Sequence, residues 1–242
     1  MNKILIALAL LFLAQTIVAA QEFVFPTATD YPQIKTSGDK IEEFVPRGWT
    51  VVSRVSGDLN ADKQPDCVLI VKAGDNRFLN KNDGLGAQVF DTNPPVLLIL
   101  FKAQNGYRLA QQSNGFIKIP DAPTMEEPFQ EATIKNGVLE LIFQIFYSAG
   151  SWGMSNYTYK FRYQNAEFAL IGADKSENMR NTGEYEDRSY NFLTRKVRIE
   201  IGNNSEDRPQ KVRLRAFKFK ELKTLNTLKE PFAWEIEPNS FI

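Results

Sequence analysis

Tyr157-Thr158-Tyr159-Lys160-Phe161-Arg162-Tyr163 sets an aromatic ring at every second residue, with a hydroxyl or a cation between. A period of two belongs to an extended strand, whose side chains point by turns to opposite faces, so the rings pack together and Lys160 and Arg162 meet water. Leu139, Leu141, Phe143, Ile145 and Tyr147 make a second stripe, backed by Glu140 and Gln144. Asn136-Gly137 stands between segments 131–135 and 138–147, and this dipeptide favours the positive φ of a tight hairpin. Gln164-Asn165 marks a further turn between 157–163 and 167–171. Residues 131–172 therefore read as an antiparallel meander of four strands.

Upstream, segments 49–55, 67–71, 96–101 and 107–110 form a similar series over residues 49–112, with Asn105-Gly106 as one of its turns. Segments 67–71 and 96–101 are apolar without interruption, the pattern of central strands covered on both faces. Downstream, 191–201 and 211–219 add two strands, and a parity shift between Val212-Leu214-Ala216 and Phe217-Phe219 points to a bulge. Two such meanders look like propeller blades, but a closed propeller takes about four to eight. The expected fold is all-β: two propeller-blade-like, four-stranded antiparallel meanders plus extra C-terminal strands, packed as a sandwich or a partly rolled sheet.

Around this single β domain, residues 49–220, lie an N-terminal arm (21–48) with Pro26, Pro32, Pro46 and one helical turn near 39–44, and a C-terminal tail (221–242). Residues 1–20 read as a signal peptide: Lys3 is their only charge, 4–13 are apolar, and Val18-Ala19-Ala20 is a small-residue exit. A periplasmic or secreted mature chain starting near Gln21 is expected. No later apolar stretch reaches the roughly 20 residues of a spanning helix, so no integral membrane segment is expected after cleavage. Lysine plus arginine, 29, balances aspartate plus glutamate, 29, which removes the global field that draws a protein to nucleic acid. The absence of histidine excludes Ser-His-Asp and Cys-His catalysis and imidazole-ligated metals. The single cysteine, Cys67, permits no internal disulfide and reads as a buried small hydrophobe.

One motif carries chemistry. In Gly57-Asp58-Leu59-Asn60-Ala61-Asp62-Lys63-Gln64-Pro65-Asp66, oxygen-bearing side chains recur on alternate residues from Asp58 and return at Asp66. Hard cations such as Ca²⁺ take six to eight oxygens, and Asp58, Asn60, Asp62, the Gln64 carbonyl and Asp66 are the candidate ligands. An EF-hand would require glutamate where Leu69 stands. The competing reading is an ordinary turn, closed by Asp and Asn side chains accepting backbone N–H groups.

The loop resembles the calcium loop of FG-GAP and VCBS-type repeats, D-x-[DN]-x-D-G-x-x-D between two strands of a propeller blade. It departs from that pattern at the sixth position, where Lys63 replaces glycine at a site of positive φ. The chain is also similar to a group of exported bacterial proteins in Gly48-Trp49, Gly57-Asp58-Leu59-Asn60, Phe90-Asp91-Thr92-Asn93-Pro94 and Ser148-Ala149-Gly150-Ser151-Trp152. That likeness spans about residues 45–200 and implies the β fold and export, without a substrate.

Other constellations say less. Gly150-Ser151-Trp152-Gly153 fails the G-x-S-x-G spacing because residue 149 is alanine. Asp91, Glu126, Glu127, Glu140 and Glu184 are carboxylates available for histidine-free glycoside hydrolysis. The long polar connection 72–95 and the stretch 148–156 are candidate rims of a binding surface, with Trp152 expected to fold back and cap the core. Arg208, Lys211, Arg213, Arg215, Lys218 and Lys220 are expected to guard a terminal strand edge. The reading that results is an exported, non-catalytic β protein of the cell envelope, a binding or structural module with a calcium loop at 58–66 and a protein or glycan partner. Its alternative is a carboxylate-dependent hydrolase of extracytoplasmic glycans.

Overall fold

The computed structural model describes residues 22–238 and 240–242; the expected signal peptide lies outside them. In chain order the strands are β1 (Ser37–Gly38), β2 (Trp49–Gly57), β3 (Asp66–Ala73), β4 (Leu79–Lys81), β5 (Val89–Asp91), β6 (Pro95–Ala103), β7 (Gly106–Ser113), β8 (Phe129–Lys135), β9 (Val138–Phe146), β10 (Gly153–Gln164), β11 (Glu167–Met179), β12 (Glu184–Asn191), β13 (Lys196–Asn203), β14 (Lys211–Ala216), β15 (Glu235–Glu237) and β16 (Ser240–Phe241). The one α-helix among the described residues is a single turn, α1 (Leu225–Leu228). A five-stranded sheet runs β1-β7-β6-β3-β2, and a seven-stranded sheet runs β14-β13-β12-β11-β10-β9-β8. The fold is all-β, and the sheets are antiparallel and not closed into a barrel.

The two meanders form as expected and then grow. The first, β2-β3-β6-β7, gains β1 at its edge; the second, β8 to β11, continues through β12, β13 and β14. Val68, Ile70, Leu97, Ile99 and Phe101 of the smaller sheet share one core with Leu139, Leu141, Phe143, Tyr159 and Phe161 of the larger. Phe116, on the connection between the sheets, stands edge-on to Phe143, Tyr159 and Phe161 at 5.2–6.1 Å. Such ring pairs add about 0.5–1.5 kcal/mol each beyond the area they bury. The C-terminal tail closes one side of this core with Leu225, Leu228, Phe232, Trp234, Ile236 and Ile242. Its backbone is fastened there by the Phe232 N–H, which donates to the buried Tyr159 hydroxyl at 2.8 Å.

The opposite parity of β3 and β6 builds a second core. Cys67, Leu69, Val71, Val96, Leu98 and Leu100 point away from the large sheet and are covered by Ile34, Ile41 and Phe44 of the N-terminal arm. The helical turn expected near 39–44 is a 3₁₀ turn, Ile41–Phe44, and supplies two of those three side chains. The arm is thus one cover of a sheet buried on both faces.

Some strand limits differ from the reading of the sequence. Segment 191–201 straddles the turn between β12 and β13. The polar run Glu184-Tyr185-Glu186-Asp187-Arg188-Ser189 hides β12 because few of its residues face the core. The parity shift near Phe217 is where β14 stops and the chain turns inward, leaving Phe217 buried, rather than a bulge. The connection 72–95 is ordered by the β4–β5 hairpin. There the Asn80 side-chain amide accepts from the Val24 N–H at 2.7 Å and donates to the Val24 carbonyl at 3.2 Å, while Phe23 and Phe25 stand edge-on to Phe90.

Removing a buried phenylalanine side chain costs about 3–5 kcal/mol. Phe44→Ala is therefore expected to lower the unfolding free energy by that amount in urea titration. A loss under about 1 kcal/mol would mean that the small sheet is stable without its outer cover.

Candidate functional site

Loop 58–65 joins β2 to β3, and its alternating Asp and Asn residues turn the chain by accepting backbone N–H groups a few residues on. Asp58 Oδ1 accepts from Ala61 at 2.7 Å and Oδ2 from Lys63 at 2.9 Å. Asn60 Oδ1 accepts from the Asp62 N–H at 3.0 Å, and Asp62 Oδ1 accepts from the Gln64 N–H at 2.8 Å. The Asn60 amide also donates to Asp62 Oδ2 at 3.1 Å. Ala61 and Lys63 both sit at φ 66°, so the left-handed position expected of Lys63 is present and has a second instance beside it.

Asp66 lies beneath the loop as the first residue of β3 and is wholly buried. Its Oδ2 accepts from the Leu59 N–H at 2.8 Å and its Oδ1 from the Lys102 N–H at 2.9 Å, which ties the loop to the end of β6. Burial raises the Asp66 carboxyl above its ordinary value; the Leu59 and Lys102 N–H groups pull it back, and the charge of Asp62 pushes it further up. The Asp62 charge therefore reaches Asp66.

Asp58, Asn60, Asp62 and Gln64 share the loop, and Asp66 stands apart below it. The donor chemistry suits a hard cation, since all are oxygens and one that accepts an N–H keeps a second lone pair. Among the described residues no three acidic side chains converge on one point, so an ion would have to draw the loop together. Beside the loop, Asp58, Leu59 and Asn60 face Asn136, Gly137 and Arg162 across a cleft of about 530 Å³.

The catalytic alternative finds a partial pair. Lys72 Nζ lies 3.0 Å from Asp91 and 3.4 Å from Glu127, so these two carboxylates share one cation. Burial alone would raise Asp91, but hydrogen bonds from the Asn93 N–H and side-chain amide, with Lys72, hold its carboxyl below the ordinary value. The adjacent hollow, about 20 Å³, holds no sugar ring. Glu140 stands opposite Lys160 on β9, Glu184 opens β12, and Glu126 is exposed, none of them with that pair.

Trp152 does not cap the core: it is 63% exposed. Arg180 draws the backbone inward instead, donating to the carbonyls of Tyr147, Ser151 and Trp152, and the indole is left outside. Tyr157 is buried against Phe232, so the two rings do not share a rim. The basic residues of β14 occupy an edge strand, all six positions exposed. Cys67 is buried, which pushes its thiol up.

The polar outer face of β10 to β13 was not legible as a site. Its members come from four separate strands, and 174–178 is polar at every position, so no period marks the face. No family model matches the chain, and no curated protein or solved structure matches it; the likeness to FG-GAP loops rests on residues 58–66 alone.

Leaving a buried N–H without an acceptor costs about 1–3 kcal/mol, and Asp66 serves two. Asp66→Ala is expected to destabilise the fold by more than about 2 kcal/mol in urea unfolding, with Asp66→Asn losing less. Equal stability of all three proteins would show that the loop is not anchored through this carboxylate.

Proposed function

We propose that the chain is an exported, non-catalytic β module of the cell envelope, which binds a protein or glycan partner and holds Ca²⁺ at loop 58–66. The ligands are Asp58, Asn60, Asp62, the Gln64 carbonyl and Asp66. The supporting observation is that the side-chain oxygens of Asp58, Asn60 and Asp62 crowd one tight loop, with the buried Asp66 carboxylate beneath it bonded to the loop's Leu59 N–H. A divalent cation relieves repulsion between the loop carboxylates and stiffens one wall of the adjoining cleft. The residue at the family's glycine position, Lys63, adds backbone strain and a positive charge, so affinity is expected near the ~10⁻⁴–10⁻³ M of extracellular modules.

Export is supported by the pattern of residues 1–20. Among residues 22–242, apart from 239, no helix is long and apolar enough to cross a membrane.

Binding to the folded state alone adds about 2.7 kcal/mol at a hundredfold excess over Kd, or roughly 5–10 °C for a chain of this size. Thermal melting with Ca²⁺ and with chelator is expected to differ by that much in the wild type and not in Asp62→Ala. Identical wild-type curves, with no heat of binding, would refute the metal reading and leave a hydrogen-bonded turn. Intact-mass analysis of the protein from the envelope fraction is expected to start at Gln21; retention of Met1 contradicts processing.

A further inference from the structure

The seven-stranded sheet buries one face and turns the other outward. Tyr157, Tyr159, Ala173, Tyr190, Val197 and Ile199 point into the core, so their neighbours along each strand point out. Register aligns Gln144, Asn156, Ser176, Asp187 and Glu200 in one row across five strands. Thr158, Asp174, Ser189 and Arg198 form the next row. Over these rows the face is hollowed by about 290 Å³, and a second hollow of about 280 Å³ lies next to it over Met154, Asn178 and Tyr185.

The charges of the first hollow are mostly satisfied. Asp174 accepts from Lys160 at 2.6 Å and from Ser189 at 2.5 Å, and Glu200 pairs with Arg198. Asp187 pairs with no cation among the described residues, and its Oδ1, shut off from solvent, accepts no hydrogen bond. An acceptor in that state is costly, and Asp187 itself lines the hollow. In the neighbouring hollow Tyr185 lies over Gly202, where a Cβ would come within 2.7 Å of its hydroxyl. Asp187 and Tyr185 are two residues apart on β12, about 7 Å along a strand, close to the span of one sugar unit.

We propose that this outer face binds a neutral saccharide chain, with Asp187 accepting hydroxyl protons, Asn156, Ser176 and Thr158 supplying further hydrogen bonds, and Tyr185 packing against a pyranose face. The proposal rests on the glycan branch of the function proposed above. β10 to β13 are interior strands whose backbone groups are already paired, so a ligand must be met by side chains, which disfavours an added peptide strand. Asn156 Oδ1 accepts from Gln144 and Ser176 Oγ from Asn178, so these two meet a ligand through their donor hydrogens; with Thr158 they match a polyol, which carries donors and acceptors without charge and offers a C–H face to an aromatic ring.

The test titrates the purified protein with cello-, chito- and malto-oligosaccharides, with spermidine as the cationic control. At least one saccharide series is expected to bind more tightly than about 1 mM. Asp187→Ala and Tyr185→Ala should each weaken it roughly tenfold, with the β-type far-ultraviolet circular dichroism spectrum retained; Asn156→Ala serves if either variant fails to fold. Absence of saccharide binding overturns the proposal, as does binding that neither variant weakens. Spermidine binding that depends on Asp187, in place of saccharide, also overturns it. A calcium-dependent melt that survives a failed saccharide titration removes this inference alone, and saccharide binding without any calcium-dependent melt removes the calcium loop alone.

Discussion

β3 from Asp66 to Val71 and β6 from Pro95 to Phe101 are buried without a break, and this double burial governs the architecture. A strand that is apolar on both faces needs two covers, and in an antiparallel protein without crossover helices the covers come from elsewhere in the chain. One is the seven-stranded sheet with the C-terminal tail at its side. The other is the N-terminal arm, whose Ile34, Ile41 and Phe44 close the second core. Burying a large apolar side chain is worth roughly 1.5–3 kcal/mol, so the arm holds several such increments.

The same double burial makes Asp66 unusual. It begins β3 at the boundary between loop and core, and its two oxygens meet one N–H from each side, Leu59 and Lys102. The carboxylate lets a polar loop end on an apolar strand without orphaned backbone donors. A shift of loop 58–66 therefore acts on a junction linked to both β2 and β6.

The sequence was most legible where one face was apolar and the other polar. The stripes at Tyr157 to Tyr163 and Leu139 to Tyr147 yielded β10 and β9, and the two Asn-Gly turns located the β6–β7 and β8–β9 hairpins. It was least legible where the core contributes little. β12 presents mainly Tyr190 to the core and fills its other positions with charge and hydroxyls, so no period stood out. Trp152 was misjudged because apolar area suggests burial, while the backbone bonds to Arg180 that decide its place come from a residue far along the chain. At the loop, the spacing of Asp and Asn was read as a cation site with a side-chain-closed turn as the competing reading, and the hydrogen bonds of that turn are the ones formed. The separation of Asp66 from the others depended on β6, which local spacing does not report.

The arm also sets an order of events. The large sheet is built by adding each strand beside the one just made, so its contacts are local and can zip up from a single hairpin. The arm precedes these strands in the chain, yet the surface it covers exists only once β3, β6 and β7 have paired. Until then Ile34, Ile41 and Phe44 travel uncovered, and they are the residues most open to a holding chaperone or to a neighbouring chain.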